Sequence, residues 1–213
     1  MNSISITAPC NGSGKTSLIL SILATFPRTF SVAKFTTIYQ EEQFCPTKDH
    51  DCACRRLQGD YLICTDPEVL SQPDTDTGRF WQAGALQTLW CVSRSEGYPK
   101  MIHDFMTRYV RRGAPLLAEG NSVTPYLQPQ LRFMVVNPQL PLSWWKQDTH
   151  EQMQKANFVL LNCFPLTEQR PDGEWTSEIE HKLVVMEPGQ SLDRWRDQRV
   201  FDCIRCWLSA GEN

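Results

Sequence analysis

Apolar residues recur along the chain in two rhythms, and their order predicts strands alternating with helices. Residues 3–8 alternate and are rich in β-branched side chains, which reads as a strand. A stretch with helical spacing follows to Phe26 and is closed by Pro27. Residues 30–37 predict a second strand. From 38 to 60 the chain turns polar and cysteine-rich and loses its periodicity, which suggests an insertion or a long functional loop. Residues 61–64 form a short apolar run that ends at Thr65-Asp66-Pro67. Helical patterns at 72–85 and 101–110 bracket a strand at 86–92, and a short buried strand at 115–118 ends in Glu119-Gly120. Two further strands, 131–136 and 158–161, enclose a helix at about 148–155. A last strand at 182–186 and an amphipathic helix at 192–208 complete the pattern.

Such alternation implies βαβ units. The expected fold class is α/β, a three-layer arrangement with a mostly parallel central sheet flanked by helices. Residues 1–213 read as a single domain with the cysteine-rich insertion at about 38–60. In sheets of this kind ligands bind beyond the carboxyl ends of the strands. The segment 9–16, Asp66, Glu119 and Asn162 each follow a predicted strand, so all are expected on one rim.

Composition narrows the reading. A chain of 213 residues can hide roughly 70% of its extended surface. With 41% hydrophobic and 21% charged residues, disorder is not expected. The net charge of −3, without a long basic run, gives no support for a nucleic-acid or anionic-membrane partner. The longest apolar stretch, 18–26, is about half of the ~20 residues a membrane-spanning helix needs. It also lacks the basic start of a secretion signal, so a cytoplasmic protein is expected. Nine cysteines, an odd number and partly clustered, then read as thiols or metal ligands, not as a disulfide framework.

The strongest chemical signal is Gly12-Ser13-Gly14-Lys15-Thr16 between a strand and a helix, flanked by Asn11 and Ser17. Glycines let backbone N–H groups curl around an anion, and the helix N-terminus adds its positive end. Lys15 can reach the β- and γ-phosphates of a nucleoside triphosphate, and the Thr16 hydroxyl suits Mg²⁺. Pro9 stands where this motif usually opens with glycine. Mg²⁺ needs few protein ligands, so one nearby carboxylate suffices. Glu119 is one candidate, binding the metal or orienting a nucleophile beside a catalytic Lys15. Asp66 is the other, and helix capping is the competing role for both. Asn162 could read a base or hold a turn.

Cys45, Cys52 and Cys54, with His50 between them and Cys64 downstream, could hold Zn²⁺ or an iron–sulfur cluster. The competing reading is a set of redox-sensitive thiols whose pKa values are lowered by Lys48, Arg55 and Arg56. Cys203 and Cys206 share one face of the last helix and are expected to pack into the core. Trp144-Trp145 reads as a hydrophobic plug, a partner surface or a stacking face for a substrate ring. His103, His150 and His181 are expected in solvent.

The phosphate-loop residues, then Val32-Ala33-Lys34-Phe35-Thr36-Thr37, then Asp76-Thr77-Gly78-Arg79 with Ala83-Gly84-Ala85, then Leu117-Ala118-Glu119-Gly120, stand in an order that resembles the molybdopterin-guanine dinucleotide biosynthesis protein B family. Those P-loop proteins bind GTP and assist attachment of a nucleotide to the molybdenum cofactor. The likeness covers roughly the first 120 residues. It implies phosphate contacts from Gly12 to Thr16, with Lys34, Asp76 and Arg79 near the nucleotide and Glu119 at the metal. Asp76 as a helix cap, with Arg79 on an exposed face, is the alternative. The family's histidine-bearing segment after the second strand is replaced here by Phe35-Thr36-Thr37 and the cysteine block.

The expected function is therefore a Mg²⁺-dependent GTP- or ATP-binding protein that hydrolyses its nucleotide slowly while assisting molybdenum-cofactor or metal-centre assembly. A nucleoside triphosphate, a protein partner and a second copy of the chain are the partners this reading allows. One alternative is a small-molecule kinase whose acceptor pocket is lined by Asp66, Arg79, Asn121 and the tryptophans. Another is a non-catalytic metal- or redox-sensing module that binds nucleotide.

Overall fold

A strand without a polar face has to be covered on both sides, and residues 131–136 are of that kind. Leu131, Phe133 and Val135 point into one buried cluster while Met134 and Val136 point into another. The computed structural model describes residues 2–38, 57, 59–162, 179–185 and 197–210. It contains an eight-stranded sheet in the order β3-β4-β2-β5-β1-β6-β7-β8. The strands are β1 (Ser3–Thr7), β2 (Ser31–Ile38), β3 (Tyr61–Cys64), β4 (Gln87–Arg94), β5 (Leu116–Glu119), β6 (Leu131–Val136), β7 (Phe158–Leu161) and β8 (Leu183–Val185). All neighbours run parallel except β3, which is antiparallel to β4.

Helices cover both faces and make the three layers. On one face α1 (Lys15–Thr25), α3 (Asp76–Gln82) and α7 (Gln198–Ala210) bury Ile19, Ile22, Phe80, Val200 and Phe201 against Ile4, Ile6, Leu117 and Phe133. On the other, α4 (Tyr98–Asp104) and α5 (Thr124–Leu127) cover β2, β4 and β5 through Tyr98, Met101 and Leu127. Beside them α6 (Thr149–Lys155) covers β6 and β7 through Met153. The chain leaves β1 toward β2 on one side of the sheet, whereas it leaves β5 toward β6 on the other. That reversal opens a crevice beyond the carboxyl ends of the central strands.

The alternating pattern is present nearly as the sequence predicts it, with instructive differences. α4 starts at Tyr98, because Pro99 is tolerated in a first helical turn, and it runs into a π-helical turn at Phe105–Tyr109. Two one-turn helices, α2 (Pro67–Leu70) and α5, are too short to leave a periodic signal. Cys203 is half-buried against the core, but Cys206 is exposed, so the expectation that both pack inside holds only for the first. His103, His150 and His181 are exposed. Cys45, His50, Cys52 and Cys54 lie outside the described residues, while Cys64 closes β3. Among the described residues no helix is long and apolar enough to cross a membrane.

The direction of β3 corrects one expectation. Because the edge strand β3 runs opposite to β4, its carboxyl end points away from the rim where β1, β2 and β5 finish. Asp66 therefore does not join that rim. It is exposed, separated from β1 by three strands, and caps α2 by accepting the Glu68 N–H at 2.9 Å.

Helix α3 approaches the chain before it very closely. A Cβ on Gly78 would lie 1.8 Å from the Gln72 carbonyl oxygen, so only glycine fits there. Gly78→Ala is expected to destabilise the fold by about 1–3 kcal/mol. Thermal unfolding measures this, and an unchanged midpoint would show that α3 does not need the close approach.

Candidate functional site

The turn between β1 and α1 is shaped by two glycines in the left-handed region, Gly12 at φ 78° and Gly14 at φ 110°. Side chains rarely adopt these angles, which explains glycine at both positions. α1 then starts at Lys15 with no side-chain cap, leaving first-turn N–H groups without intrahelical acceptors. Five carbonyls of the turn are occupied by donors. Ala8 O accepts from Asn121 Nδ2 at 2.8 Å, and Ala8 N donates to Asn121 Oδ1 at 3.0 Å. Pro9 O accepts from the Lys146 N–H at 3.0 Å, and Cys10 O from Ser13 Oγ at 3.0 Å. Ser13 O accepts from Asn162 Nδ2 at 3.0 Å, and Gly14 O from the Leu18 N–H at 3.1 Å.

Charged side chains gather beside the turn. Thr16 Oγ1 donates to Asp76 Oδ1 at 3.0 Å, and the other oxygen of Asp76 pairs closely with Lys34 Nζ. Lys34 Nζ also lies 3.6 Å from Glu119 Oε1. The β2–β5 register places Lys34 directly opposite Glu119, so two neighbouring strands bring them together. Asp76 arrives from α3 because Thr75, not Asp76, caps that helix by accepting the Gly78 N–H at 2.9 Å. Arg79 is on the exposed face of α3. Glu119 is almost fully buried, and its Oε2 has no hydrogen-bond partner among the described residues.

Burial and charge pull these groups in different directions. Burial raises the pKa of Glu119 against the lowering influence of Lys34 and Lys15, and the net shift is upward. Burial also acts to raise Asp76, but Lys34 and the Thr16 hydrogen bond outweigh it and hold this carboxyl below its ordinary range. For Lys34, burial acts downward and is overcome by Glu119 and Asp76, so its pKa rises. Lys15 is lowered, chiefly by burial and further by the positive charges of Lys146 and Lys34. It forms no ion pair within 4 Å among the described residues.

The structure thus brings Gly12, Ser13, Gly14, Lys15, Thr16, Lys34, Asp76, Glu119 and Asn162 to one rim. Asn11 is exposed, and Ser17 sits half-buried in the first turn of α1. Asp66 is not in this group. Asn121 was expected as a lining of an acceptor pocket, but both ends of its amide are used on Ala8. Asn162 supports the turn through Ser13, while its buried Oδ1 lacks a partner among the described residues. Lys146 has no local signal in the sequence, since its role depends on β6 lying beside β1. No protein-family model matches this chain, and no curated protein matches it significantly.

Chemically, the rim presents amides and ammonium groups for an anion, next to a hydroxyl and two carboxylates suited to a hard cation. Among the described residues no three His, Cys, Asp or Glu side chains converge as an all-protein metal cage would require. A cation here would complete its shell with water or with oxygens of a bound ligand. Asp76, not Glu119, is the carboxylate that Thr16 touches.

A carboxyl whose pKa is raised on folding loses native-state stability as pH rises from its unfolded value through its folded one. Glu119→Gln is therefore expected to gain stability relative to the parent protein between pH 4 and pH 8. Paired thermal melts across that range measure the difference, and a flat or falling one would show that burial does not dominate at Glu119.

Proposed function

We propose that this chain is a P-loop protein that binds a Mg²⁺–nucleoside triphosphate, hydrolyses it slowly and serves cofactor or metal-centre assembly. One observation carries the reading: a turn with two left-handed glycines, five of its carbonyls tied back, opens onto a lysine that has no ion pair among the described residues, at the start of an eleven-residue helix. Backbone amides of residues 12–16 would cradle the phosphates, and Lys15 and Lys34 would neutralise their charge. The Thr16 hydroxyl, with Asp76 or Glu119, would hold Mg²⁺, which draws charge from the phosphate oxygens when bound. The buried Glu119 Oε2, without a hydrogen-bond partner among the described residues, fits such a role. In hydrolysis a water oxygen bonds to the γ-phosphorus while the bond to the β–γ bridging oxygen breaks, releasing diphosphate nucleotide and phosphate. Glu119 would accept a hydrogen bond from that water.

The resemblance to the molybdopterin-guanine dinucleotide biosynthesis protein B family supports GTP as the nucleotide and molybdenum-cofactor assembly as the setting. The kinase alternative draws less support, because Asn121 and Asp66, two of its pocket residues, are engaged elsewhere.

Thermal unfolding with Mg²⁺ and either GTP or ATP tests the proposal. A bound nucleotide at 100 times its dissociation constant adds about 2.7 kcal/mol to apparent stability. Lys15→Ala is expected to keep its unliganded midpoint and lose this increment. An undiminished shift in that variant, or no shift with any nucleotide, would overturn the phosphate cradle.

A further inference from the structure

The segment between β6 and α6 carries a cation that the sequence does not single out. It is tightly folded: Gln139 N–H donates to Asn137 Oδ1 at 2.9 Å, and Leu140, Trp144 and Trp145 each close a turn through a backbone bond. The segment is seated on the glycine turn at two points. The Lys146 N–H donates to Pro9 O at 3.0 Å, and Leu140 Cδ1 lies 3.9 Å from where a Cβ on Gly12 would be. Lys146 is half-buried and, like Lys15, makes no ion pair within 4 Å among the described residues.

We propose that Lys146 is a second phosphate-binding ammonium, meeting a polyphosphate chain on the opposite flank of the turn from Asp76 and Glu119. This rests on the proposed function and adds a residue and a direction to it. The sheet order sets the direction: β1 lies between β5, which bears Glu119, and β6, which leads to Lys146. The terminal phosphate belongs with the two carboxylates and Lys34, so Lys146 meets the phosphates nearer the nucleoside. Among the described residues neither Lys15 nor Lys146 has an ion pair within 4 Å, so two like charges flank the same turn and repel. A multiply charged anion between them relieves that repulsion.

Calorimetric titration of the full chain with Mg²⁺–nucleoside triphosphate, nucleoside diphosphate and inorganic tripolyphosphate tests this. Lys146→Met is expected to weaken all three roughly tenfold, since a charged hydrogen bond carries that much affinity. Lys146→Arg should restore binding to within about twofold and retain the parent's sensitivity to salt. The Lys146 backbone bond survives in both variants, and their unliganded melting midpoints check the fold. Parent-like affinity in Lys146→Met, or Lys146→Arg as weak as Lys146→Met, would overturn the assignment. So would weakening confined to nucleotides, because Lys146 would then touch the nucleoside and not phosphate. A parent protein that binds none of the three would instead sink the proposed function. Binding lost in Lys15→Ala but untouched in Lys146→Met would sink this assignment alone.

Discussion

The ammonium of Lys34 lies between two carboxylates that come from different layers of the molecule, Asp76 on α3 and Glu119 on β5. Glu119 is buried to an extent that disfavours its ionised form, and Lys34 is the nearest opposite charge that offsets this. That arrangement requires β2 and β5 to be parallel neighbours in one register, with Lys34 opposite Glu119. It also requires α3 to deliver Asp76 from the covering layer, which the close approach of Gly78 to Gln72 permits. Through Asp76 the network reaches Thr16, and so the first turn of α1. Sheet register, helix packing and the glycine turn thus meet at one ammonium group.

The charged groups fall into two kinds. Lys34 and Asp76 are each stabilised in their ionised forms by opposite charge already in place, Glu119 and Asp76 for Lys34 and Lys34 for Asp76. Lys15 and Glu119 are shifted the other way, each with a less favoured charge than it has in water. Perturbed groups of the second kind cluster at functional sites, because a ligand supplies the compensating charge that the protein withholds. Read with the proposed function, a phosphate chain would compensate Lys15 and a divalent cation would compensate Glu119. Compensated and uncompensated charge therefore sit side by side in this rim, distinguished by whether a partner is already in place.

Much of this was legible in the amino-acid order. Strand–helix alternation gave the three-layer α/β arrangement, since residues such as Ile4, Ile6, Phe133 and Val135 repeat at the period of two that a buried strand needs. The glycine turn was readable because backbone geometry dictates residue type there. The direction of β3 was not readable, because residues 38–60 carry no apolar periodicity that would reveal the connection, and the misplacement of Asp66 followed from it. Asn121 and Lys146 were hidden for another reason. Each acts on the turn after β1 from a segment more than a hundred residues away in sequence, and only the order β5-β1-β6 shows the contact. The alternative reading of Asp76 as a helix cap fails because Thr75 takes that role, and since either residue type can cap a helix, only the hydrogen bond from Gly78 decides it.

The hydrogen bonds of the glycine turn bear on why it needs so many distant supports. A peptide group carries both a donor and an acceptor, and a turn that offers its amides to an anion must keep its carbonyls from facing the same space. Here Ala8, Pro9, Cys10, Ser13 and Gly14 all direct their oxygens to donors, supplied by Asn121, Lys146, Ser13, Asn162 and Leu18. Three of those donors come from segments following β5, β6 and β7, so the turn is braced from outside its own sequence. A flexible glycine segment would otherwise lose conformational entropy on gripping a ligand. Bracing places that cost in folding, where the whole hydrophobic core opposes it, and leaves the amides oriented beforehand. The glycines make the shape accessible, and the surrounding donors make it the shape the chain holds.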